Sequence, residues 1–97
     1  RLGGEEFGVL LPRTTYEQGC GVAERLRSSL AARTLAVQDA RVFVTASIGV
    51  TMIEPADTAE TALSRADQAM YQAKTAGRNR VASLLAGQML ATPLQRA

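Results

Sequence analysis

The sequence predicts an α/β fold of the α+β sandwich kind, a layered sheet with helices packed on it. Three observations carry this. Two segments repeat apolar residues every three or four positions, as helices do. Short apolar and β-branched runs lie before, between and after them. Turn and cap residues separate the two kinds of segment, so the order reads strand, helix, strand, helix, strand. With 97 residues and 46% hydrophobic content, one domain with a real core is expected.

Phe7–Leu11 is apolar, is closed by Pro12, and reads as a buried strand. With Gly3 and Gly4 before it, the start reads as the tip and second arm of a β-hairpin. Thr15 to about Arg33 reads as a helix. Thr15 and Gln18 have capping-box spacing, and Cys20, Ala23, Leu26 and Leu30 form one apolar stripe. Gly19 and Gly21 weaken its first turns. Leu35–Ala40 reads as a connection.

Arg41–Ile53 reads as one strand. Val42, Val44, Ala46, Ile48 and Val50 alternate with Phe43, Thr45, Ser47, Gly49 and Thr51. Both sets are small or apolar, so cover on both faces is expected. Gly49 marks a bulge or the close approach of another backbone. After a loop at 54–57, Asp57 or Thr58 caps a second helix, with Glu60 three residues after Asp57. This helix runs to about Ala76 and packs through Ala62, Leu63, Ala66, Ala69, Met70 and Ala73. Gly77 suits a left-handed terminator. Arg80–Leu84 reads as a last strand within a domain spanning 1–85, and 86–97 as a tail.

Composition narrows the chemistry. There is no His, which excludes His-dependent triads and His-containing zinc sites. The single cysteine, Cys20, allows no intrachain disulfide, which fits a reducing compartment. The net charge of +2 is spread among interspersed acids and bases, unlike a nucleic-acid footprint. No apolar run is long enough to span a membrane, so cytoplasm is the default.

Two stretches could carry chemistry. In GGEE, adjacent glycines let the backbone approach a ligand, and the carboxylates of Glu5 and Glu6 are hard donors suited to Mg²⁺. An ordinary exposed turn with two solvated glutamates explains the same residues. Near the other end, Asp67, Tyr71, Lys74 and Arg78 are spaced four, three and four apart, which places them on one face while the helix lasts. Lys74 and Arg78 suit a clamp for phosphate oxygens, with Lys as a point charge and Arg as a fork. Equally, they suit cations that offset a helix C-terminus. No P-loop is present, so bound phosphates would depend on metal, Lys74 and Arg78.

Three stretches together resemble one family. RLGGEEF resembles the signature of GGDEF domains, VTASIGV at 44–50 resembles their V-T-x-S-I-G-V strand, and ADQAMYQAKTAGRNRV resembles their A-D-x-A-M-Y-x-A-K-x-x-G-R-N-R-V block. They occur in the family's order and span most of residues 1–81. The resemblance implies a diguanylate cyclase that condenses two GTP into cyclic di-GMP and releases two pyrophosphates. It implies a fold similar to nucleotidyl cyclases and polymerase palms, with a central antiparallel-rich sheet flanked by helices. It also implies Mg²⁺ or Mn²⁺, a second GGDEF domain as dimer partner, and an upstream sensor or receiver domain; no nucleic acid and no direct membrane contact are expected.

Carried over by position, Gly3 and Gly4 form the hairpin tip against the nucleotide. Glu5 is a metal ligand that helps activate the ribose 3′-hydroxyl, and Glu6 is a secondary acidic group near the metals. Lys74 and Arg78 grip the terminal phosphates. Asp67 and Tyr71 are expected in support, Tyr71 by packing, and Asn79 is expected to tie the turn after Gly77. The family's upstream Asp ligand, its guanine-reading Asn and Asp, and its inhibitory R-x-x-D site find no counterpart among these residues. The record is therefore expected to begin within a domain, and this piece alone is expected to be inactive. Non-catalytic sensing of GTP or cyclic di-GMP, or a remnant interaction module, are the alternatives.

Overall fold

The structure is a computed structural model, and it describes residues 6–88. Helix α1 spans Tyr16–Ala31, strand β1 Thr34–Val37, β2 Ala40–Phe43 and β3 Ser47–Val50. Helix α2 spans Ala59–Thr75 and strand β4 Arg80–Ser83, and a 3-10 turn at Ala86–Gln88 follows. The α+β class expected from the sequence is the one observed.

Both helices begin where local chemistry can satisfy their free amides. For α1, Gln18 N–H donates to Thr15 Oγ1 at 3.1 Å and Thr15 N–H donates to Gln18 Oε1 at 3.0 Å, the expected capping box. For α2 the cap is Thr58, and its reciprocal partner is Thr61 rather than Glu60. Asp57, the alternative cap, instead accepts hydrogen bonds from Glu54 N–H and Thr61 Oγ1. Helix α2 ends at Gly77, whose φ of +128° no side-chain-bearing residue adopts easily.

Four sequence expectations are corrected. Residues 7–11 form no strand: Glu6 makes an isolated bridge, and Phe7, Val9 and Leu10 are exposed. The segment expected as one strand from 41 to 53 divides into β2 and β3, with 44–46 outside either. Cover on both faces is absent along β2, all four of whose residues are exposed, while β3 is half-buried throughout. The connection expected at 35–40 instead contributes β1, which pairs antiparallel with β2 through Val37↔Ala40. Gln38 and Asp39 between them have φ of 49° and 69°, the positive pair of a type I′ hairpin turn. Such turns normally announce themselves by Asn-Gly or Asp-Gly, which this sequence lacks here.

Strand β3 pairs parallel with β4, from Ser47↔Arg80 to Val50↔Ser83. Parallel neighbours need a crossover, and α2 is that crossover. The pairing continues past the strands, where Leu84 N–H donates to Val50 O at 3.0 Å and Thr51 Oγ1 donates to Leu84 O at 2.6 Å. The core is built of small residues: Ala23, Ala62, Ala69 and Ala73 are buried, together with Leu84. Leu63 and Leu26, expected in the packing stripes, are exposed. Small side chains let α2 lie close on the sheet, and Gly49 is where the backbones come nearest. A Cβ built on Gly49 would fall 2.9 Å from Met70 Cα and closer still to Ala66 O and Met70 N. Gly49 therefore marks a close approach, one of its two expected meanings.

Loop 51–57 is held against α2 by Arg65, which is only 3% exposed. Its Nε donates to Thr51 Oγ1 at 2.6 Å and its Nη2 to Met52 O at 2.7 Å. Nη1 donates to Asp57 Oδ1 at 3.0 Å, and Nη2 also binds Asp57 Oδ2, making the pair bidentate. These bonds to Arg65, with help from Glu54 N–H, hold the Asp57 carboxyl well below the usual carboxylate range.

Candidate functional site

Of the residues singled out in the sequence, Gly3, Gly4 and Glu5 lie outside the described residues. Glu6 is half-buried at its bridge. Lys74 sits in the last turn of α2, half-buried, and Arg78 follows the helix on an exposed turn. Asp67 is buried, while Tyr71, expected to pack, is exposed. The shared face of these four residues thus passes from the interior to the surface.

The end of α2 is built to hold one shape. Arg78 N–H donates to Ala73 O at 2.9 Å and Gly77 N–H to Lys74 O at 3.4 Å, the two bonds of a Schellman motif. Arg78 and Asn79 continue in the left-handed region, with φ of 62° and 46°. Arg80 Nε donates back to Arg78 O at 3.1 Å. Asn79 N–H donates to Ser47 Oγ at 3.2 Å, which ties the turn to the start of β3. From the other side, Arg27 Nη1 on α1 donates to Asn79 Oδ1 at 2.8 Å.

Arg27 is itself anchored. Its Nε donates to Glu24 Oε1 at 2.8 Å, and Nη2 reaches Glu24 Oε2 at 2.5 Å and Ser28 Oγ at 3.1 Å. The hydrogen bonds from Arg27 and Ser28 lower the Glu24 carboxyl to about 2. Asn79, expected to tie its turn, thus does so through two other elements. Arg27, Ser47 and Arg80 were not singled out from the sequence. The Glu24–Arg27 spacing was the one available signal, and it points only to a local helix pair.

Two cations four residues apart beside a helix C-terminus can neutralise its partial negative charge, or meet an anionic ligand laid across the turn. Arg78 has no hydrogen bond or ion pair through its guanidinium among the described residues, so that group is available to a ligand. Among the described residues no group of three acidic, Cys or His side chains could hold a metal, so Glu6 alone does not complete a donor set there. Among them, too, no helix is long and apolar enough to cross a membrane.

Comparison with known proteins identifies the family. The family model described as "Diguanylate cyclase, GGDEF domain" matches residues 1–80. Similar proteins include Diguanylate cyclase DgcP of Pseudomonas aeruginosa, 46% identical over 81 residues, covering 84% of this chain and 12% of that protein. Diguanylate cyclase A of Treponema denticola is 40% identical over 82 residues, covering 84% and 22%. Response regulator PleD of Caulobacter vibrioides is 43% identical over 84 residues, covering 84% and 18%. The chain spans less than a quarter of the length of these relatives. It is a member of the GGDEF domain family of diguanylate cyclases.

Proposed function

We propose that this chain supplies the nucleotide-gripping part of a cytoplasmic diguanylate cyclase, which joins two GTP molecules into cyclic di-GMP. The observation that carries the reading is the turn at 77–80, fixed from three elements, which presents Arg78 four residues beyond Lys74. In each of the two transfers, a 3′-hydroxyl oxygen of one GTP forms a bond to the α-phosphorus of the other. The α–β phosphoanhydride bond breaks, pyrophosphate leaves, and the hydroxyl proton is lost. Lys74 and Arg78 bind the terminal phosphates and offset the charge that builds on the departing pyrophosphate. Gly3 and Gly4 allow close approach of the chain to the nucleotide.

Glu5 accepts the hydroxyl proton, and Glu6 adds a second carboxylate beside it. A glutamate with an ordinary pKa of about 4.3 is a weak base at neutral pH, so it needs help. Mg²⁺ or Mn²⁺ held by Glu5 and Glu6 with substrate phosphates would supply it, by acidifying the hydroxyl and neutralising phosphate charge. Two nucleotide-loaded domains must face each other, so a second copy is the working partner.

The test is cyclic di-GMP formation from GTP and Mg²⁺ by the complete protein. Wild type should turn over, and Glu5→Gln should lose about 10²-fold or more in rate, the scale of general-base and metal-ligand effects. GTP binding without turnover by wild type would overturn the catalytic reading in favour of a sensor. Product made at an undiminished rate by Glu5→Gln would remove Glu5 from the chemistry. The isolated 97-residue chain is expected to make none.

A further inference from the structure

We propose that Arg27 is a positioning residue for nucleotide binding, acting through Asn79 to hold Arg78 in its left-handed conformation. This rests on the reading that Arg78 grips phosphate. Three consecutive residues, Gly77, Arg78 and Asn79, have positive φ. A non-glycine residue is uncommon in this region, and an Arg gains nothing from it locally, so surrounding contacts must select the conformation. The Schellman bonds fix the backbone as it enters the turn, and Arg80 Nε on Arg78 O fixes it as it leaves. What remains is Asn79, whose N–H is held by Ser47 Oγ and whose side chain is held by Arg27 from α1, 52 residues away in sequence.

Arg27 is suited to this role because its fork is occupied on both sides. Glu24 takes Nε and Nη2, which leaves Nη1 aimed at Asn79 Oδ1. A guanidinium keeps this geometry at little further entropy, where an ammonium would not. The Glu24–Arg27 pair is itself a partly exposed pair within one helix and adds little to stability. Its removal should therefore disturb the turn much more than the fold.

The experiment measures binding of guanosine 5′-[α,β-methylene]triphosphate with Mg²⁺ to the complete protein by calorimetry, with the melting temperature as a parallel readout. Arg27→Ala should bind about tenfold more weakly, the scale of one lost charge-assisted hydrogen bond, with nearly unchanged melting. Arg27→Lys should recover part of the loss. Asn79→Gly, which removes the acceptor and tolerates positive φ, should weaken binding similarly and tests the contact from the other side should Arg27→Ala fold poorly.

The decisive comparison adds Arg27→Ala to Arg78→Ala. A residue that works through Arg78 has nothing further to lose once Arg78 is gone, so the double variant should bind no worse than Arg78→Ala. Additive losses would overturn the positioning role and leave the phosphate grip intact. So would wild-type binding by Arg27→Ala and Asn79→Gly alongside weakened Arg78→Ala. Wild-type binding by Arg78→Ala would instead overturn the grip and the positioning role together.

Discussion

Gly49 is where the packing of α2 on the sheet can be tested most sharply. A single methyl group added there meets backbone, not a side chain that can turn aside. It would lie 2.9 Å from Met70 Cα, with Ala66 O and Met70 N nearer still. Non-bonded carbon atoms prefer about 3.5–4.0 Å, so α2 must retreat by about 1 Å or more to admit it. That retreat loosens the contacts of Ala69 and Ala73, which have no exposed surface at all. Overpacking of this kind typically costs about 1–3 kcal/mol, and a clash with backbone on two residues belongs at or above the top of that range.

Urea denaturation of the complete protein, followed by helical circular dichroism, measures the effect. Gly49→Ala should lower unfolding free energy by about 3 kcal/mol or more. Gly21→Ala is the control, since its Cβ would meet only the end of the Arg25 side chain at 3.9 Å. Inside α1 that change should stabilise by about 0.5–1 kcal/mol through helix propensity. An unchanged midpoint for Gly49→Ala would refute the claim that α2 and β3 pack backbone to backbone.

Two further outcomes follow from the caps and the buried ion pair. Thr58→Ala removes the acceptor for Thr61 N–H at the start of α2 and should destabilise by about 1 kcal/mol, measured by the same denaturation. Asp57→Asn should lower the urea midpoint at pH 7, because it leaves the buried Arg65 guanidinium without its carboxylate. The pH dependence has a definite sign: the folded-state pKa of Asp57 is depressed from 3.8, so its contribution is full above about pH 4–5 and is lost as pH falls below. The gap between wild type and Asp57→Asn should therefore narrow at pH 3, and a gap that widened there would contradict the assignment.

The helix boundaries and the spacing of the cations at the end of α2 were legible in the sequence for a local reason. The Thr15–Gln18 capping box, the end of α2 at Gly77 and the four-residue spacing of Lys74 and Arg78 all depend on neighbours within one helical turn. Residues 7–11 misled because an apolar run bounded by Gly and Pro has strand character, yet a strand requires a partner that no local pattern specifies. The hairpin of β1 and β2 has no local signature, because Gln38-Asp39 is a poor turn signal for the positive φ values that it adopts between the paired strands.

By itself, then, the sequence determined the helices, their ends, the family and the residues that carry charge, since each depends on chain geometry over a few residues. Only the tertiary structure decided that β3 and β4 run parallel under α2, that Asp57 belongs to Arg65 and not to a cap, and that Arg27 reaches Asn79. Those contacts join residues far apart in the chain, and which of them meet depends on the packed positions of whole elements, set here by how closely α2 can lie over Gly49.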